Sequence, residues 1–457
     1  MTTGPADPIE PASTSSAGAT VRLLGDGTPL PVGEVRGTLE YVLTGHEGGE
    51  PSVGVTSSGA VFTVAYDETI RSVDGGRSWE TVYDFELEGA PVDPYFTADP
   101  MLWVDPVTDI VYTNHMWPPL VCTSIASSAD DGATWSEHDG ACGTPDVDFQ
   151  KLGSGKPGPG VNPLAGKAHP SVLYLCYNKI LAFTFGLAPV FAGGTSCATS
   201  YDGGLTWPVE RLIAGRAFSP AGSLGLDCGG GAGVPIGAPD GTVVIAMPGG
   251  PAGMCLGRSR DSGLTWEVVA GPTDVLGTSA APEVGFAADG TMFLAWQDPD
   301  YVTWLARSAD LGDSWEGPWR VSPPDLTLTY FSALGVTPDG RVALGFVGTP
   351  NEADSPDEAP DETRWHLFVA TSDDAGAETP SFLVRQATPP DDPVQIGPIC
   401  LGGAGCDGSR NLLDFIDGAI APDGTFYVAY TEGCLEDCSS ADDSDESEIA
   451  VAALRDW

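Results

Sequence analysis

Apolar and polar residues alternate along this chain in short runs, and glycine-containing turns break the runs. That grammar predicts β-strands joined by hairpins. The first repeat is the plainest. Pro51 to Val55 reads as a first strand, Ser58-Gly59 as a tight turn and Ala60 to Tyr66 as a second strand. Thr69 to Ser72 and Trp79 to Tyr83 follow as a third and a fourth. The first turn recurs as Asp240-Gly241, Asp289-Gly290, Asp339-Gly340 and Asp423-Gly424, and Asp-Gly is a favoured two-residue hairpin turn. First strands begin near Glu50, Asp99, Asp148, Asp227, Pro282, Phe331 and Asp414, which predicts seven four-stranded units. The last unit ends at Trp457 after three strands. The strand-like segment 34–43 (EVRGTLEYVL) is expected to supply the fourth and close the ring. Closure removes the open sheet edges on which other chains pair.

A fixed motif marks the turn between the third and fourth strands. Its copies are Ser72-Val-Asp74-Gly-Gly76-Arg-Ser-Trp79, Ser128 to Trp135, Ser200 to Trp207, Ser259 to Trp266 and Ser308 to Trp315. A decayed sixth copy is Ser372-Asp-Asp374-Ala-Gly376. The aspartates stand 49 to 72 residues apart (Asp74, Asp130, Asp202, Asp261, Asp310), a period that signals one supersecondary unit used repeatedly. The short acidic side chain suits capture of backbone N–H groups in its own turn, and the glycine supplies a positive φ. The pattern resembles the Asp-box, or BNR, repeat of sialidase-like β-propellers, over roughly residues 34–457. The resemblance implies an all-β, single β-propeller of four-stranded antiparallel blades. Seven blades follow from the strand count. Six is the alternative, because sialidases have six and the fourth unit is the least regular. It also implies that the motif tips are structural and lie on the face away from any active site.

Composition narrows the setting. The 457 residues carry 64 acids against 19 bases, a net charge of −45. Such a polyanion repels nucleic acid and anionic membranes. No apolar run is long enough for a transmembrane helix. Residues 1–33 are expected to be a disordered Pro/Ser/Thr-rich tail before the propeller at 34–457. Ten cysteines fall in neighbouring pairs: Cys122/Cys142, Cys176/Cys197, Cys228/Cys255, Cys400/Cys406 and Cys434/Cys438. They read as five disulfides, hence as a secreted or cell-surface protein whose signal segment is absent.

Strand direction places the first strands' entry points, the inter-blade loops and the loops between second and third strands on one face, with the channel mouth. Glu50, Asp99, Asp148, Asp227 and Asp414 occupy similar slots just before first strands. Their convergence on the axis would require a cation, and an oxygen-rich set suits calcium. The competing reading is that each acid caps its own turn. No organic cofactor is expected. Arg410 and Asn411, with Trp117, Trp296 and Tyr330, are candidate ligand contacts on the same face, for a glycan or an extracellular protein. Tyr66 and Tyr430 are further strand-end aromatics there, and His46 and His115 give a weak metal signal. Acidic insertions at 351–363 and 431–448 rise on that face too.

The resemblance implies three arginines, a tyrosine nucleophile and a partner Glu in a true sialidase. No Arg-Ile-Pro occurs, Arg36 sits in Arg-Gly-Thr, and Phe331 falls in the tyrosine slot, with Glu283 matching only loosely. Exo-sialidase activity is therefore not expected. Three functions stay open: a ligand-binding propeller, a glycoside hydrolase using an acid pair such as Asp99 with Asp148, and an assembly protein. The last draws on the clustering of all four lysines between Lys151 and Lys179.

Overall fold

The strand Thr38–Glu47 closes the molecule: it pairs antiparallel with Glu448–Arg455 as the outermost strand of the last sheet. Its partners inward are Phe426–Glu432 and Asp417–Ile420. The computed structural model is thus a β-propeller of seven sheets around one axis. It describes residues 37–85, 98–117, 122–142, 147–185, 188–215, 231–249, 254–272, 281–401, 412–433 and 447–457, the short stretches 13–14, 21–24 and 29–30, and Cys228 and Gly277.

The innermost strands of blades 1 to 7 are Val53–Val55, Ala98–Val104, Val147–Gly155, Ile236–Gly237, Glu283–Phe286, Leu328–Val336 and Asp417–Ile420. Blade 4 is complete, with Val243–Met247, Cys255–Ser259 and Glu267–Ala270 outside its short inner strand. Seven blades therefore replace the six of the alternative. The single 3₁₀ turn among the described residues, Pro356–Glu358, lies in the acidic insertion of blade 6.

Second strands such as Val61–Ala65, Val243–Met247 and Val342–Thr349 are buried at every position. Both of their faces pack on neighbouring blades, so they are apolar throughout, as doubly covered strands are. Outer strands such as Glu80–Asp84 are largely exposed. The core is accordingly a set of slabs between adjacent blades. One holds Val244, Ala246 and Leu256 of blade 4 against Val284, Leu294 and Trp296 of blade 5. Near the axis the backbones come close enough to exclude side chains. A Cβ on Gly153 would stand 1.9 Å from the Pro235 carbonyl oxygen.

The turns between third and fourth strands share one hydrogen-bond scheme. In blade 1 the Ser72 hydroxyl accepts the Gly76 N–H at 2.8 Å and donates to Asp74 Oδ1 at 2.8 Å. Asp74 also accepts the Ser78 N–H at 2.9 Å and its hydroxyl at 2.6 Å. Ser128, Ser200, Ser259 and Ser308 repeat the glycine bond at 2.8–2.9 Å. Gly76, Gly132, Gly204, Gly263 and Gly312 all have φ near +80° to +91°. The decayed sixth copy keeps Asp374 but recruits Ser381, at the start of the next strand, for the same two donors.

Cys176–Cys197 and Cys228–Cys255 are disulfides, and Cys400 is disulfide-bonded. Cys122 and Cys142 are cross-strand partners in backbone register. Cys406, Cys434 and Cys438 lie outside the described residues. So does most of the expected tail at 1–33. Within it, Ser13–Thr14 pairs with the closing strand and Val21–Leu24 with the outer strand of blade 6.

Candidate functional site

The inner strands enter the ring through a left-handed residue. Glu50 (φ 55°), Asp99 (φ 48°), Phe149 (φ 53°), Phe331 (φ 58°) and Leu413 (φ 54°) hold that position in blades 1, 2, 3, 6 and 7. For residues with a Cβ this conformation costs about 1–2 kcal/mol each and persists only where the surroundings impose it. The ladder register shifts beside it in blades 3 and 6, as a β-bulge requires. This corrects the predicted alignment. Phe149 takes the slot given to Asp148, and Leu413 the slot given to Asp414.

Three of the predicted acids nevertheless meet. Carboxylate oxygens of Glu50, Asp99 and Asp414 all lie within 4.8 Å of one another. Glu50 and Asp99 are buried and Asp414 is half-buried. Asp99 accepts the Phe149 N–H at 2.8 Å, and the Gln150 amide donates to the Asp99 carbonyl. The side chain of Asp148 and the whole of Asp227 lie outside the described residues. The triad could hold one metal ion. A calcium ion binds oxygens at about 2.3–2.6 Å, so its opposed ligands stand up to about 5 Å apart.

Two further acids and a lysine complete the cluster, and sequence reasoning missed this role for all three. Asp417 accepts the Val53 N–H at 2.9 Å and the Gly418 N–H at 2.8 Å, tying blade 7 to blade 1. Glu283 opens the inner strand of blade 5. Lys151, one of the four clustered lysines on which the assembly reading drew, is only 3% exposed. Its ammonium sits 2.9 Å from the Phe415 ring centroid and 4.6 Å from that of Phe149. Met101, Val234 and Phe415 form a small apolar cluster there, drawn from blades 2, 4 and 7. Such an ammonium is held by cation–π attraction and by the carboxylates facing it. No local signal marks it, because its niche comes from three separate blades.

The electrostatics follow from this geometry. Burial, then repulsion by Asp99, pushes the Glu50 carboxyl well up. Burial, then Asp417, does the same to Glu283. Burial raises Asp417 to about 6 against the pull of its two backbone donors. Burial lowers Lys151 to about 8, against the attraction of Glu283, Asp99, Glu50 and Asp417. Among the described residues, four carboxylates act on the one ammonium and Asp414 adds its charge beside Glu50, an excess that shared protons or a bound cation would relieve.

This predicts an unusual pH profile for the metal-free protein. An acid whose folded pKa is raised weakens the fold above that pKa, and the penalty is relieved as pH falls towards the unfolded value near 4. Asp417 therefore regains stability as pH falls from about 6 to about 4, and Glu50 and Glu283, raised in the same direction, act with the same sign. The turn aspartates have the opposite sign. Asp74 lies at about 2, because donors from Ser78 and Ser72 outweigh its burial. Hydrogen bonds from Thr134 and Ser314 likewise lower Asp130 and Asp310. Their stabilisation is lost below about pH 4. Thermal melts in chelator should peak near pH 4–5, and a Tm that falls steadily from pH 7 to pH 4 would refute this assignment.

The remaining predicted contacts fare differently. Trp296 is 1% exposed in the slab between blades 4 and 5. Tyr330 is 7% exposed, its ring 4.7 Å from that of Phe331. Neither ring has a free face for a ligand, which removes both from the stacking surface, as burial also removes Tyr430. Trp117 (side chain), Arg410 and Asn411 lie outside the described residues. His46 pairs with Glu68 at 2.6 Å. His115 is stacked on Phe85 at 4.7 Å, and burial lowers its pKa to about 3. The two histidines therefore have separate partners.

No family model matches the chain, and no curated protein does. Among solved structures it is similar to a protein of unknown function from Dyadobacter fermentans, at 15% identity and TM-score 0.45, over 91% of this chain and 98% of that one. It is similar to the intramolecular trans-sialidase of Ruminococcus gnavus at 13% identity and TM-score 0.42, over 89% and 94%. It also resembles an α-L-arabinofuranosidase of Fusarium graminearum at 14% and 0.41, over 73% and 92%.

Proposed function

We propose that this chain is an extracellular binding protein that holds a glycan or protein ligand at its channel mouth through a calcium ion on Glu50, Asp99 and Asp414. The observation that carries the reading is the mutual approach of the three carboxylates to within 4.8 Å. The Cys176–Cys197 and Cys228–Cys255 disulfides support an oxidising compartment, and no described helix is long and apolar enough to cross a membrane. A cation exposed at the mouth would accept ligand hydroxyls or carboxylates, and it would offset the repulsion that five acids present to an anionic ligand.

The spacing of Glu50 and Asp99 weighs against a hydrolase built on those two acids, while the Asp99 and Asp148 pair is untested because the Asp148 side chain lies outside the described residues. Glycosidases place their two carboxyl groups about 5–5.5 Å apart or further, to span the scissile bond. Oxygens of Glu50 and Asp99 lie within 4.8 Å of each other. Sialidase chemistry also lacks its nucleophile, since Phe331 holds the tyrosine slot. A glycan array read with and without chelator tests the proposal. Binding that vanishes with chelator and with Asp99→Asn is expected. Chelator-insensitive binding, or turnover of an aryl glycoside panel, would replace it with another function.

A further inference from the structure

A cavity of about 430 Å³ opens at the outer half of blade 6, and none of the channel-mouth acids lines it. Its volume falls in the range of about 300–1,000 Å³ typical of small-molecule sites. Leu326, Phe368 and Val384 supply apolar walls, and Arg364 and His366 supply nitrogen donors. Arg364 is exposed. Arg71, Arg258 and Arg307 pair with Glu80, Glu267 and Glu316, but Arg364 has no carboxylate partner among the described residues. Asp325 also lines the cavity, and its charge acts on Arg320 instead.

His366 adds a second donor to the same cavity. The residue is 7% exposed, and its Nδ1 lies 3.1 Å from the Thr388 hydroxyl. That hydroxyl accepts the Leu367 N–H at 3.3 Å, which leaves its own proton for Nδ1. The neutral imidazole then carries its proton on Nε2. Nε2 has no hydrogen-bond partner among the described residues. Burial, then the charge of Arg364, lowers the His366 pKa to about 4, so the ring is neutral at physiological pH. Nε2 keeps solvent access within the cavity, so its proton is open to an acceptor that enters the site.

We propose that this cavity is a second binding site for a small carboxylic acid with an aromatic or branched apolar body. The carboxylate lies on the Arg364 guanidinium and the His366 Nε2–H, and the body packs on Phe368 and Val384. The site is independent of the channel mouth and of any cation there.

The test uses the full chain with chelator present throughout. The probes are 3-phenylpropionate and 4-methylpentanoate, with 3-phenylpropanol as the neutral control. For probes of this size a Kd on the order of 1 mM is expected. The alcohol and Arg364→Gln should each weaken binding roughly tenfold, the loss of a charge-assisted contact. The His366 pKa, followed by NMR, should rise when the acid binds, because a carboxylate favours the imidazolium. Arg364 is exposed, so its variant is expected to fold. Should it not, the acid–alcohol comparison and the His366 titration decide in its place. The proposal is overturned if neither acid binds saturably below about 10 mM, ten times the expected Kd. It is also overturned if acid and alcohol bind alike, or if the His366 pKa does not move.

Discussion

Deleting Thr38–Glu47 is expected to abolish the single cooperative unfolding transition and to convert the protein into soluble or insoluble aggregates. This segment is the outer strand of blade 7, although it comes from the opposite end of the chain. Without it, Glu448–Arg455 becomes an open edge whose unpaired backbone invites other chains. The strand also carries specific side-chain ties within blade 7 and to neighbouring blades. Tyr41 donates to Asp392 at 2.7 Å, and Glu40 accepts from Arg77 at 2.9 Å and from Arg455 at 3.4 Å. Leu39 is buried in the slab between blades 6 and 7. These losses fall on the seam of the ring, where no other element can replace them. Calorimetry and light scattering check the outcome. A truncated chain that stays monomeric and melts within a few degrees of the full chain would contradict the closure described here.

Replacing Lys151 by methionine should produce the second largest effect. Methionine preserves the stem and the contacts with Phe149 and Phe415 while removing the charge. Lys151 is the ammonium that acts on Glu50, Glu283 and Asp417 together. Removing one partner of a buried ion cluster leaves uncompensated charge and typically costs about 3–5 kcal/mol. A loss of that order is expected in denaturant titrations at pH 7.5 with chelator present. The loss should shrink near pH 5, where the carboxyls take up protons instead. It should also shrink in millimolar calcium, because the acids, freed of the competing ammonium, would hold the cation more tightly in the variant than in the wild type. An equal loss at both pH values would mean that Lys151 acts through packing, and no loss would remove it from the cluster.

The repeated turns and the closing strand were legible because their determinants are local. Hydroxyl, aspartate and glycine meet within one turn, and strand grammar counts the sheets. Glu50 and Asp99 were legible for the same reason, at the entry of regular inner strands. The register slipped by one at Phe149 and at Leu413, because a left-handed entry residue and its bulge leave no mark in a period-two pattern. Trp296 was misplaced for a different reason. A blade's second strand is covered on both faces, so alternation cannot say which side meets solvent. Lys151 was illegible because Met101, Val234 and Phe415 build its niche from three other blades. The Ser381 contact was hidden by a longer loop that carries the hydroxyl past its usual offset from Asp374.

Isothermal titration of chelator-treated protein with calcium, alongside Asp99→Asn, tests most directly whether the acids at the axis hold a cation. Heat that saturates at one ion per chain, and that disappears in the variant, is the predicted result. Wild-type protein that takes up no calcium, or a variant that binds it as well as the wild type, would contradict the account.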